Sequence, residues 1–206
     1  MLPPRVITAI FLIACLLVSA TPRAEGAECA IVYGKNWAFL FATPNHWKVA
    51  CPVNHPSGIV IALWPEGTPW ANAPGAMYVT VGEKGGFSLE QFAADEVAHF
   101  RKQSPKLQVR VAEPIILPNK TKALVHELAD DQYGNHEAIA YVNAGKVYLI
   151  LVLTSRTQKE FERLRPIFGE FVSSVSPMKI KFHDTEKIPN PSAVTRDAPQ
   201  TLHPLP

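Results

Sequence analysis

Short segments in which apolar and polar residues alternate dominate the first third of the chain. Residues 30–41 are apolar and aromatic, and Gly34-Lys35-Asn36 interrupts them, which predicts a hairpin of two strands. Gly58 to Trp64 and Met77 to Val81 have the same character and are predicted as the next two strands. A long loop, residues 65–76, connects them.

Two segments instead show the spacing of an amphipathic helix, and each starts with a capping signal. Ser88 with Gln91, and Thr157 with Glu160, have the spacing of a capping box. We therefore predict one helix from residue 88 to about Gln103 and a second that begins at Thr157. Their apolar stripes are Leu89, Phe92, Ala93, Val97 and Phe100 in the first, and Phe161, Leu164, Phe168, Phe171, Val172 and Val175 in the second.

The remaining strands are predicted between and after these helices. They cover Leu107 to Glu113, Lys122 to Asp130, His136 to Asn143, Lys146 to Thr154 and a last short strand, Met178 to Phe182. The segment 147–153 is apolar at every position, so this strand should be central, with both of its faces covered. Strands and helices together predict an α+β domain built as a layered sandwich.

The two ends of the chain differ from this pattern. Residues 1–20 combine Arg5, an apolar run and a small-residue ending, which predicts a signal peptide and export to the periplasm or the medium. Cleavage after Ala27 is an alternative, and a lipobox-like sequence makes lipidation at Cys15 another. Residues 184–206 contain five prolines and few large apolar residues, which predicts a disordered tail.

A single domain, residues 28–183, is left between these ends, and we expect a monomer without a transmembrane segment in the mature chain. Its formal charge is nearly balanced, because 20 Lys and Arg residues face 18 Asp and Glu residues in the whole chain. No basic block is present, which argues against nucleic acid as a partner.

Export leaves two cysteines in an oxidising compartment, Cys29 and Cys51, and we predict a disulfide between them. Such a bond would close a loop of about 23 residues and contribute roughly 3 kcal/mol. A redox-active pair is the alternative, but the C-x-x-C spacing is missing.

Candidate metal ligands cluster in the hairpin formed by the predicted strands Lys122 to Asp130 and His136 to Asn143. With the turn at residues 131–135, Asp130 should lie opposite His136, and His126 should lie nearer Ala140. A divalent metal held by His126, Asp130 and His136 is thus a possible cofactor, although a polar hairpin tip with a half-buried His126 explains the same residues.

Other motifs give no catalytic assignment. Ser57 lacks the G-x-S-x-G elbow, and the glycines of segment 82–86 are explained by a strand-to-helix turn that needs positive φ. The adjacent carboxylates Asp95 and Glu96 do not face each other on a helix and should be solvated. We predict a protein that is not an enzyme and needs no cofactor.

The loop 65–76 is the predicted recognition site. Its tryptophans lie beside prolines, which makes a stiff aromatic surface suited to binding, and we assign this role to Trp64, Glu66, Trp70 and Asn72. The alternative is that both indoles cover the edge of the sheet.

Three segments share packing motifs with a known family: Ala42-Thr43-Pro44-Asn45-His46-Trp47, the strand end Leu151-Val152-Leu153-Thr154-Ser155, and a helix with Phe161-Glu162, Pro166, Phe168 and Val172-Ser173-Ser174. Over roughly residues 37 to 182 the chain resembles the PsbP-like family. The resemblance implies an antiparallel sheet flanked by helices, an α/β/α sandwich. That family includes subunits of the photosynthetic oxygen-evolving complex, a Ran-binding regulator of nuclear import and exported bacterial proteins, so it implies binding without catalysis.

The sequence thus predicts an exported accessory protein that recognises a protein partner or a small ligand. The alternative is a metal-dependent hydrolase or a metal-binding protein that uses the 126–137 hairpin.

Overall fold

The computed structural model describes residues 29–52 and 55–179. The predicted signal peptide, the alternative lipidation site Cys15 and the predicted tail 184–206 lie outside these residues. In chain order the elements are β1 (Cys29–Gly34), β2 (Trp37–Ala42), β3 (Trp47–Ala50), β4 (Ile59–Pro65), a 3-10 turn (Trp70–Asn72), β5 (Gly75–Glu83), α1 (Leu89–Gln103), β6 (Gln108–Ile116), β7 (Lys122–Ala129), β8 (His136–Ala144), β9 (Val147–Ser155), α2 (Gln158–Ser174) and β10 (Ser176–Met178).

Seven strands form the main sheet, in the order β3-β4-β5-β9-β8-β7-β6, and every neighbouring pair is antiparallel. Strand β9 lies at its centre, and all nine of its residues are buried. A strand that is apolar on both sides is stable only where both faces are covered. The predicted central strand and the α+β class with an antiparallel sheet between helices are confirmed.

A second, three-stranded sheet contains the N-terminal hairpin. Strand β2 pairs with β1 on one side and with β10 on the other, both antiparallel. The hairpin was predicted, but its separation from the main sheet was not. Strand β3 was not predicted, because its four residues are too few for a clear alternating pattern, and β10 begins at Ser176 rather than at Met178.

Helix α2 and the three-stranded sheet together cover one face of the main sheet. The ring of Phe41 on β2 meets that of Phe171 on α2 edge to face, with ring centroids 5.7 Å apart. Burial of aromatic and aliphatic side chains here supplies the largest share of the hydrophobic stabilisation. The α2 residues buried in this core are Phe161, Leu164, Phe168, Phe171 and Val172.

Helix α1 covers part of the opposite face. Its predicted capping box is present, since Ser88 Oγ accepts from the Gln91 N–H and the Gln91 side chain accepts from the Ser88 N–H. Positive φ angles at Gly85 and Gly86 form the preceding turn, as predicted. Gly82 on β5 allows close approach of α1, because a Cβ there would lie 2.6 Å from Phe92 Cζ.

The segment between β4 and β5 covers another part of that face. Trp70 of the 3-10 turn folds back over Trp64 of β4, with their rings edge to face at 5.6 Å. The two indoles pack with Ala62, Ala73 and Ala76 in a small separate core. A loop therefore covers this part of the face, and helix α1 covers the adjoining part.

The structure bears on the predicted disulfide and on the absence of a transmembrane segment only in part. Cys51 has a free, exposed thiol in the structure, and the side chain of Cys29 is outside the described part, so the disulfide stays a prediction. Within residues 29–52 and 55–179, neither helix combines the length and the apolar character needed to cross a bilayer.

Two buried tyrosines on the α1 face give a matched test of the core. Both rings contact Phe92, but the Tyr148 hydroxyl donates to the Phe87 carbonyl at 2.7 Å, whereas the buried Tyr141 hydroxyl has no partner in the described part of the chain. An unsatisfied buried hydroxyl costs free energy, and a satisfied one contributes about 1 kcal/mol.

We expect Tyr141→Phe to raise the free energy of unfolding by about 1 kcal/mol and Tyr148→Phe to lower it by a similar amount. Urea unfolding of both variants measures this. Destabilisation of similar size in both would show that the Tyr141 hydroxyl has a partner in solution.

Candidate functional site

A cavity of about 380 Å³ lies on the α1 face of the main sheet. Its floor is formed by β4, β5, β7, β8 and β9, one wall by the C-terminal half of α1, and its ends by Trp70 and the β7–β8 loop. It lies where α1 and the β4–β5 segment leave the sheet uncovered. The described residues that line it are Ser57, Ile59, Trp70, Tyr78, Thr80, Glu96, Phe100, Gln103, Ser104, Leu107, Leu128, Asp131, Gln132, Tyr133, Asn135, Glu137, Ile139, Ile150, Val152 and Thr154.

Glu137 is the carboxyl that the main sheet itself places in this cavity. It lies on β8 directly opposite Thr154 of the central strand, and the Thr154 side chain hydrogen-bonds to its carboxyl. Three effects together raise the pKa of Glu137 to about 7: burial, the largest, raises it, the Thr154 hydrogen bond lowers it, and the nearby charge of Asp131 raises it. Its carboxyl therefore exchanges a proton near neutral pH.

Asp131 holds the β7–β8 loop in shape. Its Oδ1 accepts from the backbone N–H groups of Tyr133 at 2.9 Å and Asn135 at 2.7 Å, and its Oδ2 accepts from Asn135 Nδ2 at 3.3 Å. This arrangement is an Asx-type turn, in which a short side chain substitutes for backbone hydrogen bonds.

Glu96 adds a third carboxyl from α1. It is half-buried and lines the cavity, while its neighbour Asp95 is exposed. Burial raises the pKa of Glu96. The expectation that both carboxylates are solvated is wrong for Glu96, because its side of α1 faces the gap beside the helix rather than open solvent.

Apolar and aromatic side chains form most of the remaining lining. Ile150 and Val152 project from β9, Phe100 from α1 and Tyr78 from β5. Burial, followed by the charges of Glu137, Glu96 and Asp131, raises the pKa of Tyr78, so its hydroxyl stays neutral and can donate a hydrogen bond.

The residues predicted for recognition in loop 65–76 are not brought together. Trp64 and Trp70 are 7% and 8% exposed, so they do not form an exposed aromatic surface; they cover the sheet, as the alternative interpretation held. Glu66 is exposed, and its Oε2 lies 3.8 Å from His46 Nδ1. Asn72 is exposed on the 3-10 turn. Of the four, Trp70 lines the cavity.

The proposed metal ligands are also separated. Strand β7 pairs with β8 so that His126 lies opposite Ile139 rather than Ala140, one residue from the predicted register. A one-residue shift turns a side chain to the other face of a sheet. His126 accordingly contacts Tyr141 on the α1 face, and His136 contacts Phe161 of α2.

Asp130 interacts with neither histidine. Its Oδ2 accepts a hydrogen bond from Gln108 Nε2 at 2.7 Å. In the described ranges no group of three or more His, Cys, Asp or Glu side chains could hold a metal ion. His126 is half-buried as expected, but its buried Nδ1 has no hydrogen-bond partner among the described residues, and burial lowers its pKa.

Two smaller cavities lie beside the edge strand β6, with volumes of about 320 and 290 Å³. In the first, Glu127 is already paired with Arg110 and with Arg165 Nε, the latter at 2.7 Å. In the second, Glu90 and His126 are the only titratable lining residues among those described. The first cavity has charges of both signs, because Arg165 lines it together with Glu113, Glu127 and Glu162, and the second has a single carboxyl, so the cavity at Glu137 is the stronger candidate site.

Comparison with known proteins gives likeness of fold alone. No protein-family model and no curated protein matches the chain. It is similar to the cyanobacterial PsbP protein CyanoP of Synechocystis sp. PCC 6803 (TM-score 0.45, 13% identity, 77% of this chain and 98% of that one).

Two further solved structures are equally distant. One is PA94 of Pseudomonas aeruginosa, a putative regulator of unknown function (TM-score 0.46, 11% identity, 73% of this chain and 97% of that one). The other is the Saccharomyces cerevisiae Ran-binding protein Mog1p (TM-score 0.44, 11% identity, 73% of this chain and 95% of that one). These values assign neither a family nor a partner to this chain.

Glu137 should make stability depend on pH. Its pKa is higher in the folded chain, about 7, than the ordinary value of 4.5, so the folded state binds more protons between these values. The free energy of unfolding therefore falls as pH rises from about 4.5 to about 7, by up to about 3 kcal/mol from this group.

Glu137→Gln removes that dependence. Relative to the unsubstituted protein, we expect this variant to become more stable by up to about 3 kcal/mol between pH 5 and pH 8, as measured by urea unfolding at both values. Glu83→Gln, at an exposed carboxylate outside the cavity, is the control and should show no such trend. An equal stability difference for Glu137→Gln at both pH values would contradict a buried, proton-binding carboxyl.

Proposed function

We propose that this protein is a non-enzymatic binding protein that takes up a small ligand in the cavity at Glu137. The observation that supports it most is the shape of the α1 face, where two covering elements leave a concave space of about 380 Å³ between them. Binding sites for small molecules are concave, mostly apolar and carry a few placed polar groups. This cavity has those properties.

The framework of the cavity favours binding with little rearrangement. Glu137, Tyr78 and Val152 are fixed on neighbouring strands of the main sheet, and Asp131 constrains the loop at one end through three hydrogen bonds. A preformed site loses less conformational entropy when a ligand binds. Export, predicted from residues 1–20, would place this activity in the periplasm or outside the cell.

Catalysis has less support in this cavity. Thr154 is the hydroxyl bonded to Glu137, and it is buried within the central strand, where it holds the carboxyl in place. The described lining residues include neither histidine nor cysteine. Ser57, Thr80 and Ser104 also line the cavity, but among the described residues no hydrogen bond joins their hydroxyls to Glu137, and a carboxyl without an activated nucleophile suits ligand recognition better than covalent chemistry.

A protein partner is the other candidate from the sequence, through loop 65–76. Glu66 and Asn72 are exposed there, but the indoles that would anchor a partner are buried. Interfaces depend on a few large aromatic or Arg anchors at their centre. The loop therefore supports this role less strongly than the cavity supports a small ligand.

Filling the cavity tests the proposal. Gln103→Trp and Ser57→Trp place an indole into the cavity from two sides, while Lys102→Trp adds the same indole to the neighbouring exposed position on α1, outside the lining. A set of small aromatic amines, alcohols and acids is assayed by ligand-observed NMR on all four proteins.

We expect at least one of these chemical classes to bind the unsubstituted protein and the Lys102→Trp control, and to lose at least about tenfold in affinity in both cavity-filling variants, since the indole occupies the ligand's volume. Binding of no class, or equal binding to all four proteins, would contradict a ligand site here.

A further inference from the structure

We propose that the ligand of this cavity is an organic cation, a small protonated or quaternary amine with an apolar or aromatic body, and that the Glu137 carboxylate is the partner of its charge. This inference rests on the proposed function and names the ligand class for the same site.

The charged side chains among the described lining residues are all acidic. Glu96, Asp131 and Glu137 line the cavity, whereas no Lys, Arg or His is among its described lining residues. The ion pairs formed within residues 29–52 and 55–179 involve none of these three carboxylates. A partly desolvated carboxylate without a cation is unfavourable, and an entering cation would relieve this cost.

The hydrogen bonds single out Glu137 as the charge partner. Asp131 already accepts three hydrogen bonds from its own loop, which stabilise its charge without a ligand. Glu137 accepts a hydrogen bond from Thr154, and a carboxylate has room for further donors. Its place beside the central strand also fixes it more firmly than Glu96 on the cavity wall.

An organic cation fits the cavity better than a metal ion. Ca²⁺ and Mg²⁺ require several converging oxygen ligands, and no such group of acidic side chains is present in the described part of the chain. The volume of about 380 Å³ and the apolar surface of Ile150, Val152 and Phe100 suit a ligand with an apolar body.

Aromatic side chains add a second attraction for a cation. Trp70, Tyr78 and Phe100 all line the cavity. The face of an aromatic ring attracts a desolvated ammonium group, and cages of this kind bind quaternary amines. An anionic ligand of the same size would gain neither this contact nor the one with Glu137.

Cation binding should weaken in acid, because protonation removes the charge of Glu137. The titratable groups that face the same cavity are Glu96 from α1, Asp131 from the β7–β8 loop and Tyr78 from β5, together with Tyr133 from that loop. Of the carboxyls, Glu137 is the one whose pKa is raised to about 7, so the loss should occur between pH 8 and pH 5.5.

Three probes with one aromatic ring and different charges test the ligand class: benzyltrimethylammonium, benzyl alcohol and 3-phenylpropionate. Because benzyltrimethylammonium carries a permanent charge, any dependence of its affinity on pH reports on the protein. Titration calorimetry on the purified full chain at pH 8 should give the tightest binding for benzyltrimethylammonium, with a loss on the order of tenfold at pH 5.5.

Glu137→Gln should lower the affinity for benzyltrimethylammonium at pH 8 by on the order of tenfold and abolish its dependence on pH, while Glu83→Gln, with the same change in net charge, should change neither. Unchanged cation affinity in Glu137→Gln would overturn the assignment of Glu137.

Equal or tighter binding of 3-phenylpropionate or benzyl alcohol, still blocked by Gln103→Trp, would overturn the ligand class and leave the proposed binding function standing. Failure of all three probes to bind would overturn the proposal that the ligand is a small aromatic cation. If the aromatic amines, alcohols and acids assayed by NMR also failed to bind, the proposed binding function would be overturned as well.

Discussion

The structure depends on the burial of β9 on both of its faces. All nine residues of this strand are buried, and its antiparallel neighbours β5 and β8 extend the sheet on either side of it. A sheet with such a centre needs a cover on each face, since exposed apolar area on either one would forfeit the hydrophobic stabilisation. The described part of the chain has two long helices with which to cover seven strands, so other segments must contribute. On one face the three-stranded sheet packs beside α2 and completes the cover.

The second face is covered less completely, and the candidate site follows from this. Helix α1 covers one part through Phe92, and the β4–β5 segment covers another through Trp70. The cavity lies between these covers, where the sheet presents Glu137 among apolar side chains. A carboxyl placed there is partly removed from water, which explains why its pKa rises. Incomplete cover thus produces both the space for a ligand and the chemistry that would select it.

Much of the fold could be predicted because it is encoded locally. The Ser88 capping box, the Gly34-Lys35-Asn36 turn and the uniformly apolar β9 each occupy a few consecutive residues. Long-range pairing was harder to predict. The hairpin of β7 and β8 is shifted by one residue, with Asp130 at a positive φ of 58° before the loop, and this shift places His126 and His136 on opposite faces.

The cavity itself could not be predicted from the sequence, because it depends on how α1 and the β4–β5 segment meet. Glu96 looks like an ordinary surface residue of a helix, and the two tryptophans look exposed in a loop rich in proline. One signal was present: Glu137 is an acidic residue at a strand position next to the apolar run Ala138 to Val142. Burying a carboxylate beside such a run costs free energy unless a charge or hydrogen-bond partner compensates it, so its presence indicates a candidate site.

A backbone amide NMR titration of the full chain with benzyltrimethylammonium tests most directly whether the cavity at Glu137 binds an organic cation. Such binding should shift amide signals around the cavity, in residues 131–135, at Glu137 and Thr154, and in the C-terminal half of α1. Shifts confined to other surfaces, or none at concentrations well above those of weak small-ligand binding, would contradict it.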